Sequence, residues 1–356
     1  MLVMFIRHLF PLHSQLWTTL LTVCYVVCAI CTLTSCSSDE GILEDNRRDA
    51  IGFNTYLEGM VATRSMESNQ TSIQNTGFGV LAARTSSDWT SSDRNADFMY
   101  KQRVNYSSSS WNYSPVKYWP TNGNKLSFWV YAPYDDNISL SAAESTSAPT
   151  ASIIVPDDGS NTFDFVTACA MNKTYADYSS SQGKVNFTLK HVMTRVAFKI
   201  VSTSVSLAKK EDLLLHSVKL SGSKLYSQGT YSFPTTDSDN GTWTTGTGNH
   251  TVTLTPTSAI QSDTPSEYIY LIPLSSLTEG DVMVTINYSL KISDSNSGTI
   301  TIADKNDITL KCPASILLQG KSYILSFDPQ CITLKAEMEK WQPETNEALD
   351  YNKWDW

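Results

Sequence analysis

Short runs of β-forming residues with period-two alternation constrain this sequence most strongly. Apolar and polar residues alternate through Val185, Phe187 and Leu189, and again through 196–200. Clusters of Gly, Asn, Asp, Ser and Pro separate such runs from residue 50 onward. Because successive side chains of a strand point to opposite faces, the alternation indicates strands with one buried and one solvated face. The sequence therefore predicts an all-β protein of antiparallel sheets.

Fifteen such runs are predicted as strands, and helical periodicity is restricted to one short segment at 207–215. The predicted strands are 50–57, 78–82, 97–104, 126–132, 152–155, 163–167, 185–189, 194–201, 216–220, 230–233, 251–254, 268–272, 282–290, 322–327 and 332–336.

The chain is too long for a single hydrophobic core. It has 356 residues, whereas one core rarely serves more than roughly 250–300. The Ser-rich stretch 175–183 is the best candidate boundary. It divides the chain into an N-terminal β-sandwich domain at 50–180 and a C-terminal β-sandwich domain at 184–356, each of normal size for this architecture.

The N-terminus has the pattern of an export signal. Arg7 precedes an apolar run from about 16 to 33, and small residues follow it. The segment Leu33-Thr34-Ser35-Cys36 resembles the lipobox of bacterial lipoproteins, in which the cysteine is acylated and the signal is cut just before it. The sequence thus predicts a signal peptide at 1–35, lipidation of Cys36 and a flexible polar tether at 36–49. A buried cysteine at the end of an anchor helix is the alternative.

Removal of the signal changes both charge and cysteine content. The net charge of −9 becomes −10, since Arg7 leaves and no acid does. Cys169, Cys312 and Cys331 remain after loss of the signal cysteines and lipidation of Cys36. Cys312 and Cys331 form one bridge, or all three are buried thiols.

Motifs of catalytic and metal sites are missing from the mature sequence. It contains no G-x-S-x-G, H-E-x-x-H, C-x-x-C or P-loop pattern. We therefore expect no enzymatic activity, no metal and no cofactor. The acidic balance and the lack of a basic block also argue against a nucleic-acid partner, because phosphate binding requires clustered Lys and Arg.

One aromatic cluster has binding potential. Four aromatic residues lie within ten positions: Trp111, Tyr113, Tyr118 and Trp119. Exposed rings would stack on the apolar faces of sugars, which gives a glycan-binding surface lipoprotein as the alternative function. Buried rings would instead close the end of a sandwich, and the continuation into the predicted strand 126–132 favours burial.

The order of several short motifs resembles the fimbrillin family, the lipoprotein pilins of Gram-negative gut and oral bacteria. Each motif is weak alone, but they follow one another over some 290 residues behind the lipobox. They are Ile51-Gly52-Phe53, Thr63-Arg64-Ser65, the segment 111–120, Tyr131-Ala132-Pro133, the segment 185–191 running into Arg195-Val196-Ala197-Phe198, Ile272-Pro273, Gly320-Lys321-Ser322-Tyr323 and Trp341.

The resemblance implies two β-sandwich domains with transthyretin-like topology and a structural role in a surface fimbria anchored to the outer membrane. It also implies assembly with other subunits by strand exchange: a trypsin-like protease removes the first strand, and a neighbour's strand fills the groove. Arg64 is then the candidate cleavage site, with Arg47-Arg48 as an alternative that removes only the tether. The donor would be 331–339 with its Trp341 extension; a C-terminus paired in its own sheet would indicate a tip or anchor rather than a stalk subunit. Host or bacterial surface ligands are further possible partners.

Overall fold

The computed structural model describes residues 49–57, 70–201, 213–294, 298–339 and 341. Within these ranges the chain forms strands connected by turns, and the predicted all-β class is confirmed. The elements are β1 (Gly52–Leu57), α1 (Gln70–Thr76), β2 (Phe78–Thr85), β3 (Met99–Ser107), β4 (Ser110–Asn112), β5 (Lys125–Ala132), β6 (Ser139–Leu140), β7 (Thr150–Ile154), β8 (Val166–Lys173), β9 (Lys184–His191), β10 (Thr194–Ile200), β11 (Leu213–Gly222), β12 (Gln228–Ser232), β13 (Thr242–Thr245), β14 (His250–Leu254), β15 (Ile260–Gln261), β16 (Ile269–Leu271), β17 (Val282–Asp294), β18 (Gly298–Lys311), β19 (Ser322–Asp328) and β20 (Thr333–Glu339).

The structure differs from the expected secondary structure in several places, since α1 and the short strands β4, β6, β13 and β15 were not predicted. Two further differences lie at 207–215 and in β18. The short helix predicted at 207–215 is wrong for its last three residues, which begin β11; residues 207–212 lie outside the described ranges. The long strand β18 was not expected, because its centre reads Asp304-Lys305-Asn306-Asp307, which is typical of a turn. Lys305 has a positive φ of 50°, and a register shift against β17 accommodates it as a bulge.

The strands form four sheets. The largest has the order β1-β9-β8-β5-β2-β3-β4; the others have the orders β16-β10-β19-β20, β14-β11-β17-β18 with β15 on β11, and β13-β12-β7-β6. Most pairs are antiparallel, as expected, but β1 pairs with β9 and β10 pairs with β19 in parallel.

The predicted domain boundary separates strands that are paired. The stretch 175–183 contains a 3₁₀ segment rather than an open linker, and β9, which follows it, pairs with β1 and β8 of the large sheet. In addition, β7 pairs with β12, so one sheet contains strands from both predicted domains. The division into two domains with transthyretin-like topology stays a prediction.

Two hydrophobic clusters lie on opposite faces of the large sheet. In β5, Phe128 and Val130 belong to the first cluster, whereas Trp129 and Tyr131 belong to the second. All four side chains are fully buried. This two-faced burial explains why 126–132 is an almost continuous apolar run rather than an alternating one.

The three cysteines that remain outside the predicted signal and lipidation site are all free. Cys312 is buried, Cys169 is half-buried and Cys331 is exposed, so neither the Cys312–Cys331 bridge nor the burial of all three thiols occurs in the structure. None of the helices in the described ranges is both long enough and apolar enough to cross a lipid bilayer.

Replacement of Gly79 by alanine will destabilise the contact between β2 and β5. Gly79 lies opposite Tyr131, and a Cβ at position 79 would lie 2.2 Å from Tyr131 Cζ. Because the Tyr131 ring is fully buried, we expect Gly79→Ala to lower the free energy of unfolding by about 2 kcal/mol, as overpacked cores typically do. Denaturant unfolding measures this. The double variant Gly79→Ala/Tyr131→Leu should lose less than the sum of the single losses, and strict additivity would contradict the clash.

Candidate functional site

The first strand lies between β9 and the aromatic segment. Gly52 to Leu57 pair in parallel with Lys184 to Leu189. On the opposite side, the Ile51 N–H donates to the Lys117 carbonyl at 2.9 Å, and the Trp119 N–H donates to the Asp49 carbonyl at 3.0 Å. Backbone hydrogen bonds therefore hold the start of β1 on two sides, whereas among the described residues the rest of the strand pairs with β9 alone.

Alternate side chains of β1 complete the first cluster. Phe53 and Leu57 are buried, as is Ile51 directly before the strand, whereas Tyr56 on the other face is 57% exposed. The Phe53 ring is the centre of this packing, with its centroid 5.2–6.3 Å from those of four other rings: Phe78, Tyr113, Phe128 and Phe187. The strand thus fills a space between β9 and the rest of the core.

The predicted aromatic residues line this same space. Trp119 is buried, stacks on Tyr178 with ring centroids 5.8 Å apart, and donates from Nε1 to the Gly183 carbonyl at 3.0 Å. Trp111 packs edge-on against Phe78 at 4.8 Å. Both rings are thereby held by the fold.

Tyr113 connects the cluster directly to the first strand. Its hydroxyl donates to the Ile51 carbonyl at 2.8 Å, and burial raises the pKa of Tyr113, so the phenol keeps the proton that it donates. Tyr118 is the exposed member, with 45% of its surface accessible. One exposed ring offers little stacking surface, so a glycan site on these four residues stays a prediction, and their packing accounts for them structurally.

The predicted processing and lipidation residues lie outside the described ranges. Arg64 falls between the end of β1 at Leu57 and the start of α1 at Gln70, and Cys36 and Arg47-Arg48 precede β1. Gln70 Nε2 donates to the Thr55 carbonyl at 3.1 Å, so α1 contacts β1 across this interval.

The C-terminal strand lies at the edge of its sheet. β20 pairs antiparallel with β19, from Asp328 opposite Thr333 to Ser322 opposite Glu339. This pairing within its own sheet is the arrangement that was expected above for a tip or anchor subunit, and β20 could act as a donor strand only after leaving β19. None of its seven side chains is fully buried. Ile332 and Met338 are 58% and 61% exposed, so this strand depends on backbone pairing more than on packing.

The structure also brings together residues to which the sequence assigned no joint role. His191, Arg195 and Trp341 lie in contact, although up to 150 positions separate them. The only sequence signal was their shared presence in the ordered motif series.

A polar cleft of about 230 Å³ lies between β8, β9 and the loop at 234–240. Asp237 accepts hydrogen bonds from the Met171 N–H and from Lys173 Nζ, both at 2.7 Å, so its carboxylate is already engaged. Burial and the nearby Asp237 raise the pKa of the Cys169 thiol to about 12, which keeps it protonated at neutral pH. These contacts hold the loop on the sheet and do not indicate a ligand.

Comparison with known proteins gives a consistent picture. A family model described as fimbrillin-like matches residues 63–341. The fimbrium subunit Fim1C of Phocaeicola vulgatus is 27% identical, over 92% of this chain and 98% of its own length. A crystal structure of a fimbrial protein from Bacteroides vulgatus superposes with a TM-score of 0.65 at 25% identity, covering 83% of this chain and all of the other.

Substitutions on the two faces of β1 should lower the free energy of unfolding by different amounts. Phe53→Ala should lower the free energy of unfolding by about 3–5 kcal/mol, because it removes a buried ring that contacts four others. Tyr56→Ala, on the exposed face of the same strand, should change it by no more than about 0.5 kcal/mol. Chemical denaturation of both variants tests this, and equal losses would show that β1 does not complete the core.

Proposed function

This chain belongs to the fimbrillin-like family, and on that premise we propose that it is a non-enzymatic structural subunit of a cell-surface fimbria that assembles by strand exchange. The observation that carries the proposal is the position of β1. It is an edge strand, and yet its inward side chains complete a core.

Removal of β1 would create a groove that offers both unpaired backbone groups and an empty side-chain pocket. The backbone groups of β9 from Lys184 to Leu189 that face β1 would lose their partners, since β1 pairs along this whole length. The pocket of Phe53 would lose the ring that fills it. An extended segment could satisfy both, with main-chain hydrogen bonds giving affinity and alternate side chains giving register.

β20 has the side-chain pattern that such a groove requires. Leu334, Ala336 and Met338 alternate with Lys335, Glu337 and Glu339 in β20, and the inward-facing Phe53 and Leu57 of β1 likewise lie at even spacing on one face. The apolar row of β20 is partly uncovered in the folded chain. The same strand of a neighbouring copy would bury this row in the groove, which favours the exchanged state.

Two further parts of the proposal concern export and processing. Cys36 would carry the lipid that holds the subunit at the outer membrane, with 36–49 as the tether and 1–35 as the cleaved signal. Cleavage after Arg64 would separate β1 from α1, after which β1 is no longer covalently attached to the core that it completes.

Cleavage at Arg64 should trigger assembly. We expect trypsin to cut soluble protein starting at Ser37 early after Arg64, with release of β1 and growth of filaments visible by electron microscopy. Arg64→Gln should block both steps, whereas the matched control Arg47→Gln/Arg48→Gln should assemble normally. Filaments from the Arg64→Gln variant would refute this site, and a clean cut that leaves a monomer would refute strand exchange into the β1 groove.

Lipidation should depend on Cys36 alone. In cells fed an alkyne analogue of palmitate, the full chain should carry the label and lose it in Cys36→Ala, because the thiol at this position accepts the acyl chain. Cys31→Ala, within the predicted signal, is the matched control and should keep the label. Labelled Cys36→Ala protein would contradict the assignment, and mass spectrometry of the mature N-terminus gives an independent reading.

A further inference from the structure

Trp341 follows β20 and lies in a socket formed by the buried Arg195 and the partly buried residues His191 and Tyr268. Its ring stacks on His191 with centroids 4.2 Å apart and planes inclined by 28°. On Arg195, the guanidinium carbon lies 4.5 Å from the Trp341 ring centre and 3.9 Å from that of Tyr268. Arg195 Nη2 also donates to the Trp341 carbonyl at 2.7 Å. Both the side chain and the backbone at position 341 are therefore fixed.

Arg195 extends the same contacts to the end of β20. Its Nε donates to Ser322 Oγ at 2.8 Å, and Ser322 Oγ donates to Glu339 Oε1 at 2.7 Å. The Tyr268 hydroxyl donates to the same Glu339 oxygen. Glu339, the last residue of β20, is therefore linked through Ser322 to the buried Arg195 and directly to Tyr268, which precedes β16.

The far side of the socket belongs to the large sheet. His191 ends β9, and its Nδ1 lies 2.7 Å from Oδ2 of the fully buried Asp164. Because the side chains of Asp164 and His191 are both almost completely buried, the hydrogen bond between them holds the His191 ring in one orientation against Trp341. The strand that pairs with β1 therefore also contributes to the site that holds the C-terminal residue.

β20 can separate from β19 at one of its two ends more readily than at the other. At Thr333 the strand is joined to β19 through the turn 328–333, so this end cannot leave first. Separation has to start at Glu339, the end that the socket closes. Because no side chain of β20 is fully buried, the socket supplies the strongest side-chain contacts near this end.

We infer that the Trp341 socket is a latch that keeps β20 in its own sheet and limits its availability as a donor strand. This inference rests on the proposed strand exchange, in which β20 has to leave β19. The partner that competes with the latch is the β1 groove of a second copy of this chain.

Hydrogen exchange of the uncut protein tests the latch without any assembly. In Trp341→Ala, amides of 335–339 should exchange at least about tenfold faster, because opening starts at this end and no longer breaks the ring contacts. Trp341→Phe should fall between this variant and the wild type, since it keeps a ring and the indole Nε1 has no hydrogen-bond partner in the described ranges. Lys335→Ala, an exposed position on the same strand, is the control. Unchanged exchange in Trp341→Ala would overturn the latch, and unchanged exchange in β9 shows that the variant is folded.

Assembly of the protein cut at Arg64 then tests its consequence. Trp341→Ala should form filaments about tenfold faster than the wild type, with the same rate of cleavage at Arg64. Equal or slower growth would overturn the control of donor release by the socket, even if β20 exchanges faster. If no variant assembles after cleavage, the proposed function fails, whereas the exchange data still decide whether Trp341 holds β20.

Discussion

Burial of β5 on both faces is the constraint on which the rest of the structure depends. Phe128 and Val130 support one hydrophobic cluster while Trp129 and Tyr131 support the other. The polar end of the Trp129 ring is accommodated by a hydrogen bond from Nε1 to the Pro234 carbonyl at 2.8 Å. Since both faces of this strand must be covered, the strands of both predicted domains are packed against one sheet, and a defect in β5 would affect both clusters.

β9 also contacts two separate parts of the chain, but it does so at different positions along the strand rather than through its two faces. Residues Lys184 to Leu189 pair with β1, and the strand ends at His191, which stacks on Trp341. The residues that pair with β1 and the residue that holds Trp341 therefore lie on the same strand, β9. Any subunit that gives and receives strands needs both of these sites in defined states, and here one strand with alternate buried side chains contributes to both.

The sequence predicted those features that are local. Period-two alternation correctly indicated strands such as 185–189 and 194–201, since each repeat reports one buried face. It failed for β18, where Asp304 to Asp307 form a bulge inside a strand instead of a turn. The parallel pairing of β1 with β9, and the contact of His191 with Trp341, join residues more than 100 positions apart, and no local pattern records such pairing. The aromatic residues 111–119 were recognised as a group, but only the fold shows that three of them pack inward around β1.

The two terminal strands are held in physically different ways, and this difference favours a defined order of events in the proposed exchange. β1 is held by buried side chains, and the Phe53 ring alone would cost about 3–5 kcal/mol to remove. While β1 remains part of the chain, its return to the core is intramolecular and fast. A cut in the segment after β1 makes its return bimolecular, so that loss becomes favourable at low concentration. β20 needs no cut, because it has no fully buried side chain and its separation from β19 breaks mainly backbone pairing and one socket. These two modes of attachment favour loss of β1 after an irreversible cut and reversible release of β20. If β20 leaves before a groove is open on another copy, it pairs again with β19.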